Sequence, residues 1–333
     1  METVCVEIDG GPSFRQPLGD RVMRAALRAG VAFPYECNSG SCGCCRFELL
    51  SGTVEVAWLE APAWTDRDRR KGRYLGCQTC ATSDAVIRVM PDEKVLAGQR
   101  PQKFNAILSA KRWVTHDMCM LVCHSDGPAE FLPGQYAIVR APGVPARCYS
   151  MSNLPNNSGD WEFIVRRVPG GKSSEAIVDS ELGAPFELDG PYGMAFFREA
   201  GTEDLVCVAG GSGLAPMLSI ARAADAAGRS VEFFYGGRRP QDMACIREIE
   251  ALAGFGTRLR VHAAISSPHP AEDSHWTGER CLLPELLKLR LGAEFPRYRF
   301  YAAGAPVLMS ALEEMLVTGH ALPPERLHFD RFQ

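Results

Sequence analysis

Apolar positions along this chain follow three successive rhythms. In the first, TVCVEID alternates apolar and polar residues like a half-buried strand, and FELLSGTVEV and AVIRVM repeat the pattern. Among them RVMRAALRA has helical spacing, with Asp20 placed to cap its start and Gly30 to end it. These runs predict a β-rich unit with one main helix over residues 1–95. The polar stretch PDEKVLAGQRPQK, with two prolines and a glycine, predicts a linker centred on residues 96–103. Residues 104–200 carry the second rhythm, short strand-like runs FNAILSA, MCMLVCH, QYAIVR, EFIVRR and PFELDG, with one helix near 173–180. That spacing predicts an antiparallel barrel or sandwich. The third rhythm fills residues 201–333. Strands DLVCVAG, VEFFYGG, RLRVHAAIS and RFYAAG alternate with helical LAPMLSIARAADAA (ended by Gly228), DMACIREIEALAG, PELLKLRL and PVLMSALEEMLVTG. Alternating strands and helices predict an α/β domain, a parallel sheet with helices on both faces. The chain is thus expected to be multidomain, an α+β unit followed by a β-barrel and an α/β unit.

Composition agrees with that division. A length of 333 residues suits two or three domains, and 46% hydrophobic with 23% charged residues is ordinary for globular chains with a core in each. A net charge of −4 gives no reason to expect a nucleic-acid partner. No apolar run approaches the roughly 18 residues of a membrane span. The opening METVCVEIDGG lacks the regions of a signal peptide, so a cytoplasmic location is expected. Thirteen cysteines then point to metal ligation rather than disulfides.

Four of those cysteines carry a pattern. Cys37, Cys42 and Cys45 read C-x4-C-x2-C in ECNSGSCGCCRF, and Cys77 follows 32 residues later in YLGCQTC. That is the plant-type spacing for a 2Fe–2S cluster. Gly40 and Gly43 suit a tight loop whose amides approach the sulfurs. Structural zinc is the competing reading, but zinc sites pair two close C-x2–4-C units or use histidines. Cys44 and Cys80 lie near the ligands but outside the spacing. Cys5, Cys119, Cys123, Cys148, Cys207, Cys245 and Cys281 are scattered and read mostly as small buried hydrophobes.

Three more motifs follow. Arg147, Tyr149 and Ser150 form RCYS after the strand QYAIVR, a tetrapeptide that is weak alone and gains weight from FLPGQYA before it and VPGGKSS and LDGPYG after it. Gly171, Lys172, Ser173 and Ser174 open a helix whose free amides suit a phosphate. Gly210, Gly211, Ser212 and Gly213, with Pro216, lie between a strand and a helix in VAGGSGLAP, the context of a dinucleotide loop, although the run is not G-x-G-x-x-G. Read singly, Arg147 is a surface ion-pair residue, Tyr149 a packing residue and the glycine run a tight turn. The charge run RDRRKGR (67–73) is either a solvated face or a docking face for an acidic partner.

Together, PYECNSGSCGCC with LGCQ resembles a plant-type ferredoxin (β-grasp) domain. FLPGQYA, RCYS, VPGGKSS, LDGPYG, GGSGLAP and YAAGAPVLM resemble the flavin barrel and nucleotide domain of the ferredoxin–NADP reductase superfamily. In this order the domains resemble the NADH-dependent reductase components of multicomponent bacterial oxygenases, of both di-iron monooxygenase and ring-hydroxylating dioxygenase types. The resemblance implies FAD, a 2Fe–2S cluster and NADH, with an oxygenase hydroxylase component or a Rieske-type ferredoxin as electron acceptor, and no membrane or nucleic-acid partner. It also implies that Arg147 holds the flavin pyrophosphate, that Tyr149 packs on the flavin and Ser150 bonds its ring nitrogen, that Ile164, Val165 and Arg166 flank it, that Gly213 leaves room beside the nicotinamide, that Arg238 in YGGRR lies near the adenosine ribose, and that Gly304 and Phe332 lie near the flavin and nicotinamide. The family's usual cysteine before that glycine is Ala303 here. No acid–base or nucleophilic catalytic residue is called for. Other acceptors, such as a sugar dehydrase, or a redox-sensing role, are the alternative readings.

Overall fold

Alternation builds the first sheet as expected. Strand β1 (Thr3–Ile8) buries Val4, Val6 and Ile8 and turns Thr3 and Glu7 outward. The computed structural model describes residues 2–266, 273 and 275–332. Its contacts divide the chain into one unit of Met1–Gln102 with Gly190–Met194 and another of Lys103–Asp189 with Ala195–Gln333. In the first unit β2 (Ser13–Pro17), α1 (Val22–Arg28), β3 (Arg46–Ser51), β4 (Val54–Val56), α2 (Asp66–Arg70), β5 (Arg73–Leu75), β6 (Thr79–Ala81) and β7 (Ala85–Arg88) follow β1. The main sheet has the order β2-β1-β7-β3-β5, with β1 and β7 parallel and β4 and β6 forming a separate ladder. Met23 and Leu27 of α1 are buried, as are Phe33 and Phe47, whose rings meet edge to face.

Local chemistry overrides the sequence pattern in this unit at four places. Asp20 does not cap α1; the cap position is Arg21, and the Asp20 carboxylate is engaged by Arg28 and by the Arg21 amide. FELLSGTVEV is two strands because Gly52 has φ +92° and a Cβ there would meet the Asp84 carbonyl at 2.4 Å. The charge run becomes helix α2, opened by a capping box in which Thr65 and Asp68 satisfy each other's backbone amides. Part of the expected linker is tied down, with Val95 buried and the Asp92 amide donating to the Ala32 carbonyl at 3.0 Å.

The chain then forms β8 (Gln102–Trp113), β9 (Met118–His124), β10 (Tyr136–Arg140), β11 (Arg147–Ser150), β12 (Asp160–Arg166), α3 (Lys172–Asp179) and β13 (Pro185–Tyr192). The strand order β11-β10-β13-β8-β9-β12 is an antiparallel sheet, and a Met151–Phe163 bridge brings its two edges together as a nearly closed barrel. Leu108, Leu121, Phe163, Val165 and Leu188 fill its interior.

The chain continues through β14 (Asp204–Gly210), α4 (Leu214–Ala226), β15 (Val231–Gly237), α5 (Arg247–Glu250), β16 (Leu259–Ile265), α6 (Leu283–Leu291), β17 (Tyr298–Gly304), α7 (Pro306–Glu313) and β18 (Leu327–Arg331). The sheet order is β16-β15-β14-β17-β18, all parallel. Leu205, Cys207 and Ala209 of β14 face a core with α4, and Val206 and Val208 face another with α6 and α7. That is the period of two expected for a strand covered on both faces. The order reverses between β14 and β17, where ligands bind open α/β sheets beyond the strand ends. DMACIREIEALAG is mostly 3-10 turn over Pro240–Ile246, with one α turn in α5. Pro240 lacks an amide, and Asp242 draws the preceding amides onto its side chain. Val114, Met118, Met120 and Ile164 of the barrel share the core of α4 and β14, so barrel and parallel sheet are packed as one body.

Candidate functional site

The cysteine loop runs from the end of α1 to β3. Gly40 (φ +85°), Gly43 (φ +81°) and Asn38 (φ +53°) adopt left-handed conformations and curl the backbone around the sulfurs. The Ser39 and Cys42 amides each lie 3.4 Å from Cys37 Sγ, and the Cys44 amide lies 3.4 Å from Cys42 Sγ. Asn38 is buried and accepts from Arg24 Nε at 3.0 Å, which anchors the loop to α1. Cys45 and Cys77 are buried, whereas Cys37 and Cys42 are half-buried.

The four thiols titrate on one another. The hydrogen bond with Cys42, and then burial, pushes the Cys37 thiol far up. The Cys77 partner, and then burial, does the same to Cys45. The bond from Cys45 draws Cys77 down against burial, with help from Gln78 and Arg24. Sulfurs crowded this way cannot all carry charge without a cation between them, while amides aimed at sulfur favour the charged form. That donor set fits iron held by thiolates. Cys44 is exposed, with its thiol 3.3 Å from Glu36 Oε2, and Cys80 is buried beside Arg21.

The other motif residues gather in the second unit. Strand β11 pairs with β10 so that Arg147 lies opposite Val139, Tyr149 opposite Ala137 and Ser150 opposite Tyr136. Arg147 is exposed; among the described residues it bonds only the Ala146 carbonyl, at 3.0 Å. Tyr149 packs against the barrel interior, and burial pushes its hydroxyl up to about 12. Ser150 is buried. Cys148 between them is exposed, contrary to the expectation for scattered cysteines, and Cys5 and Cys281 are only partly covered.

Gly171 caps α3 with no side-chain hydrogen bond, which leaves the first-turn amides of Lys172, Ser173 and Ser174 at an uncapped helix start. Ser173 donates to the Pro145 carbonyl at 2.8 Å and Ser174 to the Gly171 carbonyl at 3.2 Å, so the helix start is fastened to the loop before β11. A cavity of about 610 Å³ opens on that loop, lined by Arg140, Val144, Pro145, Phe186 and Glu187 among others.

Strand β12 alternates. Val165 points into the barrel core, so only its backbone is free to touch a ligand, whereas Ile164 faces the core shared with α4. The Arg166 guanidinium lies against the glycine loop, 2.9 Å from where a Cβ on Gly211 would stand, and its Nε is 3.1 Å from Asp117 Oδ2. Gly211 has φ +56°. Gly213 stands against the end of β17. A Cβ there would lie 2.0 Å from the Ala303 carbonyl oxygen, so the glycine admits the backbone of β17. Pro216 is buried in the first turn of α4. Phe332 packs on the same shared core, and its amide donates to the Gly304 carbonyl at 2.8 Å. The Arg238 amide donates to Asp242 Oδ2 at 2.7 Å and the residue is exposed.

Sequence reading missed the residues that hold these loops. Asp117 fixes Arg166. Asp242 fixes the Arg238–Arg239 turn and has His116 Nδ1 3.6 Å from its Oδ1. Arg222 of α4 bonds Glu162 Oε1 at 2.7 Å and the Ser152 carbonyl at 2.8 Å, and Ser219 bonds the Asn153 carbonyl at 2.7 Å. Arg112 forks onto both Glu248 oxygens. These are contacts between segments distant in sequence, and no local pattern marks them.

Comparison with known proteins agrees with this layout. A family model for a 2Fe–2S iron–sulfur cluster binding domain matches residues 6–82, one for an oxidoreductase FAD-binding domain residues 105–197, and one for an oxidoreductase NAD-binding domain residues 207–314. A ferredoxin–NAD(P)+ reductase of Metapseudomonas resinovorans is 38% identical over 94% of this chain and 95% of its own length. The ferredoxin–NAD+ reductase component of an alkene monooxygenase system from Xanthobacter autotrophicus is 36% identical over 98% and 100%. Among solved structures, the ferredoxin reductase in carbazole 1,9a-dioxygenase superposes with a TM-score of 0.92 at 34% identity, covering 100% of this chain and 99% of its own.

Proposed function

This chain belongs to the family of ferredoxin–NAD(P)+ reductases that join 2Fe–2S, FAD-binding and NAD-binding domains, and from that premise we propose that it supplies electrons from NADH to an oxygenase component or to that oxygenase's Rieske-type ferredoxin. It is an oxidoreductase whose cofactors are FAD, a 2Fe–2S cluster and NAD(H). When bound, the flavin takes hydride from the nicotinamide, and the cluster hands electrons singly to a protein acceptor.

The residues supply placement. Cys37, Cys42, Cys45 and Cys77 hold the cluster, and the Ser39, Cys42 and Cys44 amides offset the negative charge of its sulfurs. Arg147, free of any acidic partner among the described residues, and the first-turn amides of α3 (Lys172, Ser173, Ser174, after Gly171) receive the flavin pyrophosphate. Tyr149, Ser150, Ile164 and the backbone of Val165 border the isoalloxazine. Gly210–Gly213 and Pro216 shape the NADH pyrophosphate turn, against which Arg166, held by Asp117, lays its guanidinium donors. Gly304 and Phe332 close the nicotinamide end, and Arg238 stands toward the adenosine ribose.

The observation that carries this reading is the meeting of Ile164 and Arg166 of the barrel with Gly211, Gly213 and Phe332 of the nucleotide domain around one core. An acceptor of oxygenase type rests on the relatives, which are named for alkene monooxygenase, xylene/toluene monooxygenase and naphthalene dioxygenase systems. No helix among the described residues is long and apolar enough to cross a membrane, which accords with action in the cytoplasm. The test is an anaerobic NADH titration of purified protein followed by its visible spectrum, with ferricyanide and cytochrome c as acceptors. Flavin and iron both present, yet neither bleached by NADH, would sink the reading.

A further inference from the structure

Helix α2 and the loop before it form a surface that the cofactor sites do not use. Arg67, Arg70 and Lys71 are exposed and have no ion pair among the described residues. Arg69 lies over the Trp64 ring at 4.4 Å and bonds the Leu59 carbonyl, which adds a fourth exposed cation. Against them stand exposed Asp66 and Glu60; Asp68 is buried and committed to Thr65 and Arg46. Trp58 and Leu59 are 39% and 62% exposed at the edge of this patch.

The patch is braced to the cysteine loop. Arg46, next in sequence to Cys45, bonds Asp68 of α2 at 3.2 Å, the Ala63 carbonyl at 2.7 Å and the Gly43 carbonyl at 3.4 Å. The Ala63 amide donates to the Gly40 carbonyl at 3.1 Å, and a Cβ on Gly40 would stand 3.3 Å from the Trp58 ring. Arg46 therefore holds α2, the Trp58–Ala63 loop and the thiolate loop in one arrangement. Cys45 and Cys77 are buried, Cys42 is half-buried and Cys44 is exposed, and the thiolate loop meets the patch through Gly40, Gly43 and Arg46.

Resting on the reductase reading, we propose that Arg67, Arg70 and Lys71, with Trp58 and Leu59, dock the electron acceptor, and that the acceptor presents a carboxylate-rich face around its redox centre. Unpaired cations on a short, rigidly capped helix steer an acidic partner to the cluster edge, and the exposed Trp58–Leu59 pair supplies the apolar contact once it arrives.

The experiment compares the full-length protein with R67E/R70E/K71E and, should reversal disturb folding, R67Q/R70Q/K71Q. Three acceptors are used: ferricyanide, the acidic haem protein cytochrome b5 and the basic haem protein cytochrome c. At low ionic strength kcat/KM for cytochrome b5 should fall about tenfold or more on reversal, less on neutralisation, and lose its decline with added salt. Cytochrome c reduction should hold or rise, and NADH–ferricyanide reduction should stay unchanged. Equal responses of the two haem proteins, or an unmoved rate with cytochrome b5, would overturn the docking proposal while leaving the reductase reading intact. Failure of the unaltered protein to reduce ferricyanide would overturn that reading and the proposal with it.

Discussion

Gly213→Ala is the sharpest test of how the glycine loop is built. The residue has an ordinary helical φ of −58°, so alanine is unstrained there by backbone conformation. The cost is collision, because the new Cβ would lie 2.0 Å from the Ala303 carbonyl oxygen and 2.5 Å from its carbon. Both neighbours are backbone in a close-packed sheet, so no side chain can swing aside. The loop or the end of β17 must retreat by about 1 Å, a displacement that can cost about 10²-fold in rate when it moves a reacting group. Overpacking of this kind costs about 1–3 kcal/mol of stability. We therefore expect kcat/KM for NADH–ferricyanide reduction to drop about 10²-fold, roughly 2.7 kcal/mol of barrier, with a lowered Tm. Gly127→Ala is the control, since its Cβ would meet nothing within 4 Å. A Gly213→Ala enzyme within twofold of wild type would refute the reasoning that the loop must shift to admit a Cβ against the Ala303 carbonyl.

Three further outcomes are expected. Cys77→Ser should remove the cluster's visible and paramagnetic signals and abolish cytochrome c reduction while sparing ferricyanide; equal loss of both would contradict the order of electron flow. Asp68 lies in a buried setting that opposes its charge, but Thr65 and Arg46 hold its carboxyl below the usual range. Its stabilising effect is present above the unfolded carboxylate range and is lost as pH falls through the lower folded value, so Asp68→Asn should cost about 1 kcal/mol at neutral pH, with the gap to wild type closing in acid denaturation profiles. His328 is pushed down to about 4 by burial and then by Arg198 and Arg299. The unfolded chain binds that proton first, so stability should decline as pH falls from about 6.5 toward 4, and His328→Phe should flatten that decline in thermal melts.

The cysteine motif and the strand–helix rhythm were legible because their information is local. Cys37, Cys42 and Cys45 share one loop, and β14 shows its two faces in consecutive letters. Errors arose where a distant residue claimed a local one. Arg28 occupies the carboxylate expected to cap α1, and Asp84 enforces the break at Gly52. The close approach of Gly213 to Ala303 was not legible because that neighbour arrives 90 residues later on β17. The resemblance grouped Val165 with Ile164 and Arg166, and the pleat adds that the Val165 side chain enters the barrel core, which leaves its backbone for the ligand side. Asp117, Arg222 and Asp242 went unseen because a single acidic or basic residue in a loop carries no signal until its partner is known.

The core that Met118, Met120 and Ile164 share with α4 and β14 has a consequence for inheritance. Barrel and parallel sheet cannot be exchanged separately with those of a relative unless the facing residues change in concert. A recombination point between residues 195 and 205 would divide a single packed interior, and the chimera would carry mismatched halves of it. The pair should therefore pass through gene fusion and shuffling as one hereditary block.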